Sequence, residues 1–183
     1  MNENINTTKT LMSWFKAIFL GIMIAFLCRE YIFSPIVVKG ASMMPTYESE
    51  DVIIVSKISD IDRFDQIVFK SPYEDEYYIK RVIGLPGDTI EMKDDILIVN
   101  DKQYEEPYVN RESSLNIKNR ITENFTLEEI TGENVVPSGY LFVLGDNRLR
   151  SQDSRHFGLI PLDSVLGVSK MRILPLQDVK LFW

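Results

Sequence analysis

From Leu11 to Phe33 the chain is strongly apolar, and this stretch limits every architecture the remainder can adopt. Its uninterrupted part, Ala17 to Cys28, is 12 residues long, shorter than the ~20 that cross a bilayer. Lys16 and Arg29 flank it with stems able to snorkel toward headgroups, and Trp14 and Tyr31 sit where interfacial aromatics belong. The expectation is a membrane-spanning helix over residues 14–33, starting near Leu11 or Trp14, behind a short polar, flexible tail of residues 1–13. A cleavable leader would end in a small-x-small site, which Cys28-Arg29-Glu30-Tyr31 lacks. A buried helix of a soluble protein has the same length, and the flanking Lys and Arg counts are too even to fix an orientation.

After Pro35 the pattern turns strand-like. Short β-rich runs follow at Ile36-Val38, Val52-Val55, Ile67-Phe69, Tyr77-Ile83, Thr89-Met92, Ile96-Val99, Tyr140-Leu144 and Gly167-Ile173. Pro86-Gly87-Asp88, Asp94-Asp95 and Asn100-Asp101 separate them as turns. No βαβ alternation and no repeat is visible, so the fold class is mainly β, one globular unit over residues 34–183. Asn110 to Asn134 is polar and weakly patterned, and reads as part of an insertion or small subdomain at about residues 100–138. The acidic clusters Asp60-Ile61-Asp62 and Tyr73-Glu74-Asp75-Glu76 read as solvated loops.

A net charge of −7 argues against a general nucleic-acid binder. The single cysteine, Cys28, excludes an intrachain disulfide and a cysteine-built zinc site. The single histidine, His156, leaves little room for a histidine metal site and one candidate for a serine–histidine triad, with Asp153 as orienter. No cofactor or metal is implied.

Gly40-Ala41-Ser42-Met43-Met44-Pro45-Thr46 places a serine between apolar strand residues and a proline, which is how a nucleophilic hydroxyl is commonly presented and also how an ordinary turn looks. Lys80 lies in Tyr78-Ile79-Lys80-Arg81-Val82-Ile83-Gly84-Leu85-Pro86-Gly87-Asp88. A lysine serves as a base only as the neutral amine, so its pKa must fall from ~10.4 to roughly 7–8. Burial does that. Strand alternation puts Tyr78 and Val82 on the Lys80 face, and Ile79, Arg81 and Ile83 on the other. By itself Lys80 also reads as a surface lysine with a snorkelling stem. The third block is Gly145-Asp146-Asn147-Arg148-Leu149-Arg150-Ser151-Gln152-Asp153-Ser154-Arg155, whose bland reading is a turn with paired charges.

In their order, their spacing and their place behind an apolar segment, the three blocks resemble the type I signal peptidases (bacterial leader peptidases), over roughly Trp14 to Leu174. The short chain and single expected span resemble the Gram-positive branch. The resemblance implies a membrane-anchored endopeptidase with Ser42 as nucleophile and Lys80 as general base. Ser151 would hydrogen-bond the lysine amine, Asp153 would pair with Arg155, and Asp146 would fix the loop from beneath. An aspartate touching Lys80 would hold it charged, so Asp153 has to be occupied by Arg155. The resemblance also implies signal-peptide-bearing preproteins as partners, membrane lipid around the anchor, and a catalytic domain on the extracytoplasmic face of the cell membrane with the tail in the cytoplasm. It leaves the oligomeric state open. An extended peptide would add to the edges Ile36-Gly40 and Tyr77-Ile79, with Val38, Gly40, Met43, Tyr78 and Ile79 meeting the small residues one and three before the cut.

Two positions depart from the family pattern. Gly40 stands where some members carry a serine that helps bind the oxyanion, so stabilisation would lean on backbone donors such as the Ser42 amide. Phe64-Asp65-Gln66 stands where Gly-Asp is usual. Two rival readings remain at this level. Self-cleaving repressors use serine and lysine on a related β fold but carry a DNA-binding helix-turn-helix, which is not visible in this sequence. A non-catalytic membrane-tethered β module is the other.

Overall fold

A bilayer core offers the backbone no hydrogen-bond partner, so a crossing segment must satisfy itself, as a helix does. In the computed structural model, which describes residues 3–109 and 120–182, the apolar stretch lies in one helix, α1 (Glu3–Tyr31). Its window Leu11–Tyr31 has 21 residues, about 32 Å of helix at ~1.5 Å per residue, against a hydrocarbon layer ~30 Å thick. None of this window is buried against the protein, and Phe15, Phe19, Ile22 and Phe26 are exposed.

Two boundaries differ from the sequence expectation. The helix reaches back to Glu3, so the described part of residues 1–13 is helical and not a flexible tail. Phe33 lies outside the helix and begins strand β1 (Phe33–Val37). The Ile32 amide donates to the Cys28 carbonyl at 2.9 Å and closes the last turn, after which Pro35 cannot donate to a helix. Lys57 fastens this joint, its amide donating to the Ile32 carbonyl at 2.8 Å and its Nζ to the Glu30 carbonyl at 2.6 Å.

The remaining strands are β2 (Val52–Ser56), β3 (Gln66–Lys70), β4 (Tyr77–Gly84), β5 (Ile90–Lys93), β6 (Ile96–Val99), β7 (Lys102–Tyr104), β8 (Phe125–Thr126), β9 (Tyr140–Leu144), β10 (Ile160–Pro161), β11 (Val165–Leu174) and β12 (Lys180–Leu181). All pairings among the described residues are antiparallel. One sheet has the order β1-β2-β11-β3-β4-β9-β10, with β12 on β11, and the second has β7-β6-β5-β8. Each run read as a strand in the sequence overlaps one of these. Asp94-Asp95 and Asn100-Asp101 take positive φ at both residues, the conformation of two-residue hairpin turns that Asn and Asp tolerate.

The second sheet starts at Ile90, well before the boundary near 100 expected for a subdomain. Of the polar stretch Asn110 to Asn134, residues 110–119 lie outside the described residues. The rest is integrated into the fold, with β8 pairing with β5 and helix α2 (Leu127–Thr131) closed by a Thr126–Glu129 capping box.

Three buried clusters hold the domain. Ile83, Phe142 and Leu144 of the large sheet pack with Ile90, Met92, Leu97 and Phe125 of the small one. Ile67, Phe69, Val82 and Val143 form a second cluster. Val38, Met43, Tyr47, Ile53, Val68 and Ile79 form a third, beneath the serine turn.

Candidate active site

The serine turn leaves β1 through Val38, whose amide bonds the Asp51 carbonyl and whose carbonyl accepts from the Glu50 amide. Gly40, at φ +80, then redirects the chain, a conformation that L side chains resist. Met43, 1% exposed, plugs into the third core cluster, and the Tyr47 amide bonds the Met43 carbonyl at 3.0 Å. With Met43 pinned inward, Ser42 is left half-buried with its hydroxyl free to face β4.

Lys80 comes from the middle of β4, between β3 on one side and the start of the β9 pairing on the other. It is 4% exposed. Its Nζ lies 2.8 Å from Ser42 Oγ and 2.9 Å from the Ile79 carbonyl oxygen, and 5.3 Å from the centre of the Tyr78 ring. Burial pushes the Lys80 pKa down to about 8, against the opposing pull of the Asp153 and Asp146 charges. In the ammonium form the lysine donates to the serine oxygen. In the neutral form the same contact has the hydroxyl donating to the amine.

The third block grips both elements. The Asn147 amide donates to the Ser42 carbonyl and its Nδ2 to the Ala41 carbonyl, each at 3.0 Å. Asp146 receives Thr46 Oγ1 at 2.5 Å, Arg81 Nε at 2.8 Å and Arg81 Nη2 at 2.5 Å, so one carboxylate ties the serine turn to the lysine strand. Asp153 accepts from Arg155 Nε and Nη2, both at 2.8 Å, and from the Gly145 amide at 3.0 Å. Burial alone would raise the Asp153 carboxyl, but Arg155 and the Gly145 amide hold it below the ordinary carboxylate value. Gly145 has no room for a side chain, since a Cβ there would lie 2.1 Å from Ser151 Oγ and 2.6 Å from the Ser42 carbonyl oxygen.

Two expectations are corrected, and the alternative base His156 is set aside. Ser151 is buried beside Gly145, but its Oγ makes no hydrogen bond to the Lys80 amine. Among the described residues it has no hydrogen-bond partner of full geometry, although its nearness helps hold the Asp153 carboxyl down. Met43 faces the core and does not line the groove, because the turn needs it as its plug. His156 is exposed on helix α3 (Ser154–Phe157) and outside the groove, while both Asp153 oxygens are taken by Arg155. Thr46, Arg81 and Asn147 carry contacts that the sequence reading did not assign. All three lie inside the motif blocks, which was the one signal available.

A groove of about 630 Å³ runs along the site, walled by Pro35 to Ser42 on one side and Asp75 to Lys80 on the other. Val38, Gly40, Tyr78 and Ile79 line it, and Arg150 and Gln152 lie at its rim. Both walls are strand edges. Among the described residues β1 pairs only with β2, and Tyr77 to Ile79 pair only with β3.

The family model described as signal peptidase, peptidase S26, matches residues 11–174. A signal peptidase I from Bacillus caldolyticus is 47% identical over 164 residues, 87% of this chain and 90% of that protein. The signal peptidase I S of Bacillus subtilis (strain 168) is 38% identical over 185 residues, 98% of this chain and 97% of that protein. The crystal structure of a signal peptidase I from Enterococcus faecalis V583 is similar, with a TM-score of 0.57 and 46% identity, over 61% of this chain and 97% of that one. With the apolar window Leu11–Tyr31, strands β1 to β11 and the serine turn facing a buried lysine all inside the matched region, the chain belongs to the signal peptidase, peptidase S26, family.

Proposed function

We propose that this protein is a membrane-anchored serine endopeptidase that removes signal peptides from exported preproteins, cutting after a small residue with a Ser42–Lys80 dyad. The observation that carries the reading is the buried Lys80 nitrogen 2.8 Å from Ser42 Oγ, with a pKa brought down to about 8. A neutral amine at that distance accepts the hydroxyl proton as Oγ attacks the scissile carbonyl. The ammonium then returns that proton to the leaving amine, and the amine takes one from water in the second half of the reaction. Asp146 and Asn147 hold the turn, and Arg155 keeps Asp153 from neutralising the base's function. Ser151 fits as packing beside Gly145.

The oxyanion would take its hydrogen bond from the Ser42 amide, since Gly40 supplies no hydroxyl. An extended substrate inserts between the two open edges, its alternate side chains facing the shallow floor around Val38 and Ile79. Helix α1 keeps this groove at the lipid surface, which raises the local concentration of membrane-tethered substrates. The catalytic domain lies on the extracytoplasmic face, where signal peptides emerge.

The test is cleavage of a labelled preprotein by the full chain in vesicles, beside its Ser42→Ala and Lys80→Ala variants. Cutting in trans after a small residue, lost by orders of magnitude in both variants, is expected. Near-native activity of either variant, or cutting of the chain itself alone, overturns the reading.

A further inference from the structure

Arg81 is the neighbour of Lys80 in sequence, and its guanidinium is fixed on both sides. One side is Asp146, bound through Nε and Nη2, while Nη1 donates to the Phe64 carbonyl at 2.7 Å and Nη2 reaches Thr46 Oγ1 at 3.5 Å. The other is the ring of Tyr108, whose centroid lies 3.8 Å from Arg81 Cζ, stacking distance for a cation on an aromatic face. Tyr108 belongs to the segment after β7, outside all three motif blocks. Its own position is set from behind. Its hydroxyl donates to Glu106 Oε1 at 2.8 Å, and Glu106 is 4% exposed and forms a close ion pair with Arg148. Arg148 in turn donates through Nε to the Gly145 carbonyl at 3.1 Å. The ring of Phe64 tilts against Tyr108 with centroids 6.1 Å apart.

The charges around the Lys80 nitrogen are few. Asp146 and Asp153 of the third block face it, Ser42 of the serine turn bonds it, and Tyr78 of its own strand offers a ring. Asp153 is neutralised by Arg155. Asp146 is neutralised by Arg81 alone among cations that it bonds in the described residues. Whatever keeps Arg81 against Asp146 therefore decides how much negative field reaches the amine.

We propose that Tyr108 is a positioning residue for the dyad: its ring holds Arg81 on Asp146, and so limits the field that would otherwise keep Lys80 protonated. This rests on the Ser42–Lys80 reading. It places a determinant of the base on the smaller-sheet side of the molecule, at a residue that does not line the groove. Loosening the stack lets Arg81 drift from Asp146, exposes the carboxylate charge to Lys80 and raises the amine's proton affinity. Peptide binding is untouched.

The test keeps the shape of the ring and changes its electronics. The full chain is prepared in detergent with Tyr108→Phe, and with a trifluorinated phenylalanine at 108, whose negative face is weakened. Cleavage of a soluble peptide is followed from pH 6 to pH 10. With phenylalanine, which keeps the ring but gives up the bond to Glu106, the acid limb of kcat/KM sets the reference for the ring's electronics. With the fluorinated ring it is expected to move up by about half a pH unit, a loss of about threefold below the limb with KM unchanged. A limb that ignores the ring's electronics, or a loss carried by KM, overturns the role of Tyr108. A wild-type profile with no lysine limb would instead remove the dyad beneath it, and the two failures are distinguishable in one data set.

Discussion

Arg155 takes both oxygens of Asp153, Nε on Oδ1 and Nη2 on Oδ2, each at 2.8 Å, and thereby leaves the Lys80 nitrogen to Ser42 and a backbone carbonyl. Asp153 still pulls the lysine toward its charged form. Removing its partner strengthens that pull. Arg155→Gln is expected to move the acid limb of activity to higher pH and to cost about tenfold in kcat/KM at pH 7. Arg155→Gln combined with Asp153→Asn should bring the limb back, which a purely structural loss would not do. The pH profile of peptide cleavage measures both.

Lys80 is expected to cost stability in proportion to the benefit it brings to chemistry. Its folded pKa of about 8 lies below the ordinary 10.5, so burial disfavours the ammonium. Between pH 8 and pH 10.5 the unfolded chain binds the extra proton, and stability contributed by this site rises with pH across that window. Below pH 8 both states are protonated and the penalty, on the order of 3 kcal/mol, is fully present. Lys80→Met should therefore abolish activity, raise stability at pH 7 and flatten its dependence between pH 8 and pH 10.5. Chemical denaturation at several pH values reads all of this except activity.

Gly145→Ala places a methyl group 2.1 Å from Ser151 Oγ and 2.6 Å from the Ser42 carbonyl oxygen. The second contact is backbone and cannot swing aside. The serine turn must retreat, stretching the bond between the Asn147 amide and Ser42. A loss of 1–3 kcal/mol in stability, roughly, and of about a hundredfold in kcat is expected, with KM changed much less. Steady-state kinetics beside a thermal melt check this.

Gly40→Ser installs the hydroxyl that the family pattern offers at this position, but not the backbone to carry it. Gly40 has φ +80, and an L residue there costs roughly 1–2 kcal/mol. The variant is expected to be less stable and no faster than the parent. A rise in kcat with unchanged stability would show that a side-chain donor is accommodated after all.

Eight of the twelve described strands are legible because each carries its own alternation and its own turn, as Asp94-Asp95 does for β5 and β6, while β7, β8, β10 and β12, of two or three residues each, are too short to show a pattern. Ser42 and Lys80 are legible because each sits in a distinctive block, and the pairing of Asp153 with Arg155 because only Ser154 separates them. The partners of Asp146 are not. Thr46 and Arg81 lie 100 and 65 residues from it, and nothing local in a sequence announces a contact of that range. The resemblance gives Ser151 to the lysine, whereas the fold turns its hydroxyl toward Gly145. Phe64 stands where glycine is usual and keeps φ 74 nonetheless, with its ring packed against Tyr104 and Tyr108. The left-handed backbone was hidden behind an aromatic that tertiary packing pays for.

Helix α1 passes into β1 through the single residue Ile32, and Lys57 clasps the carbonyls of both Glu30 and Ile32 across that joint. These bonds are where α1, once in a bilayer, meets the domain that carries the groove. A mismatch between helix length and bilayer thickness, which tilting absorbs, would then reach the groove through that joint.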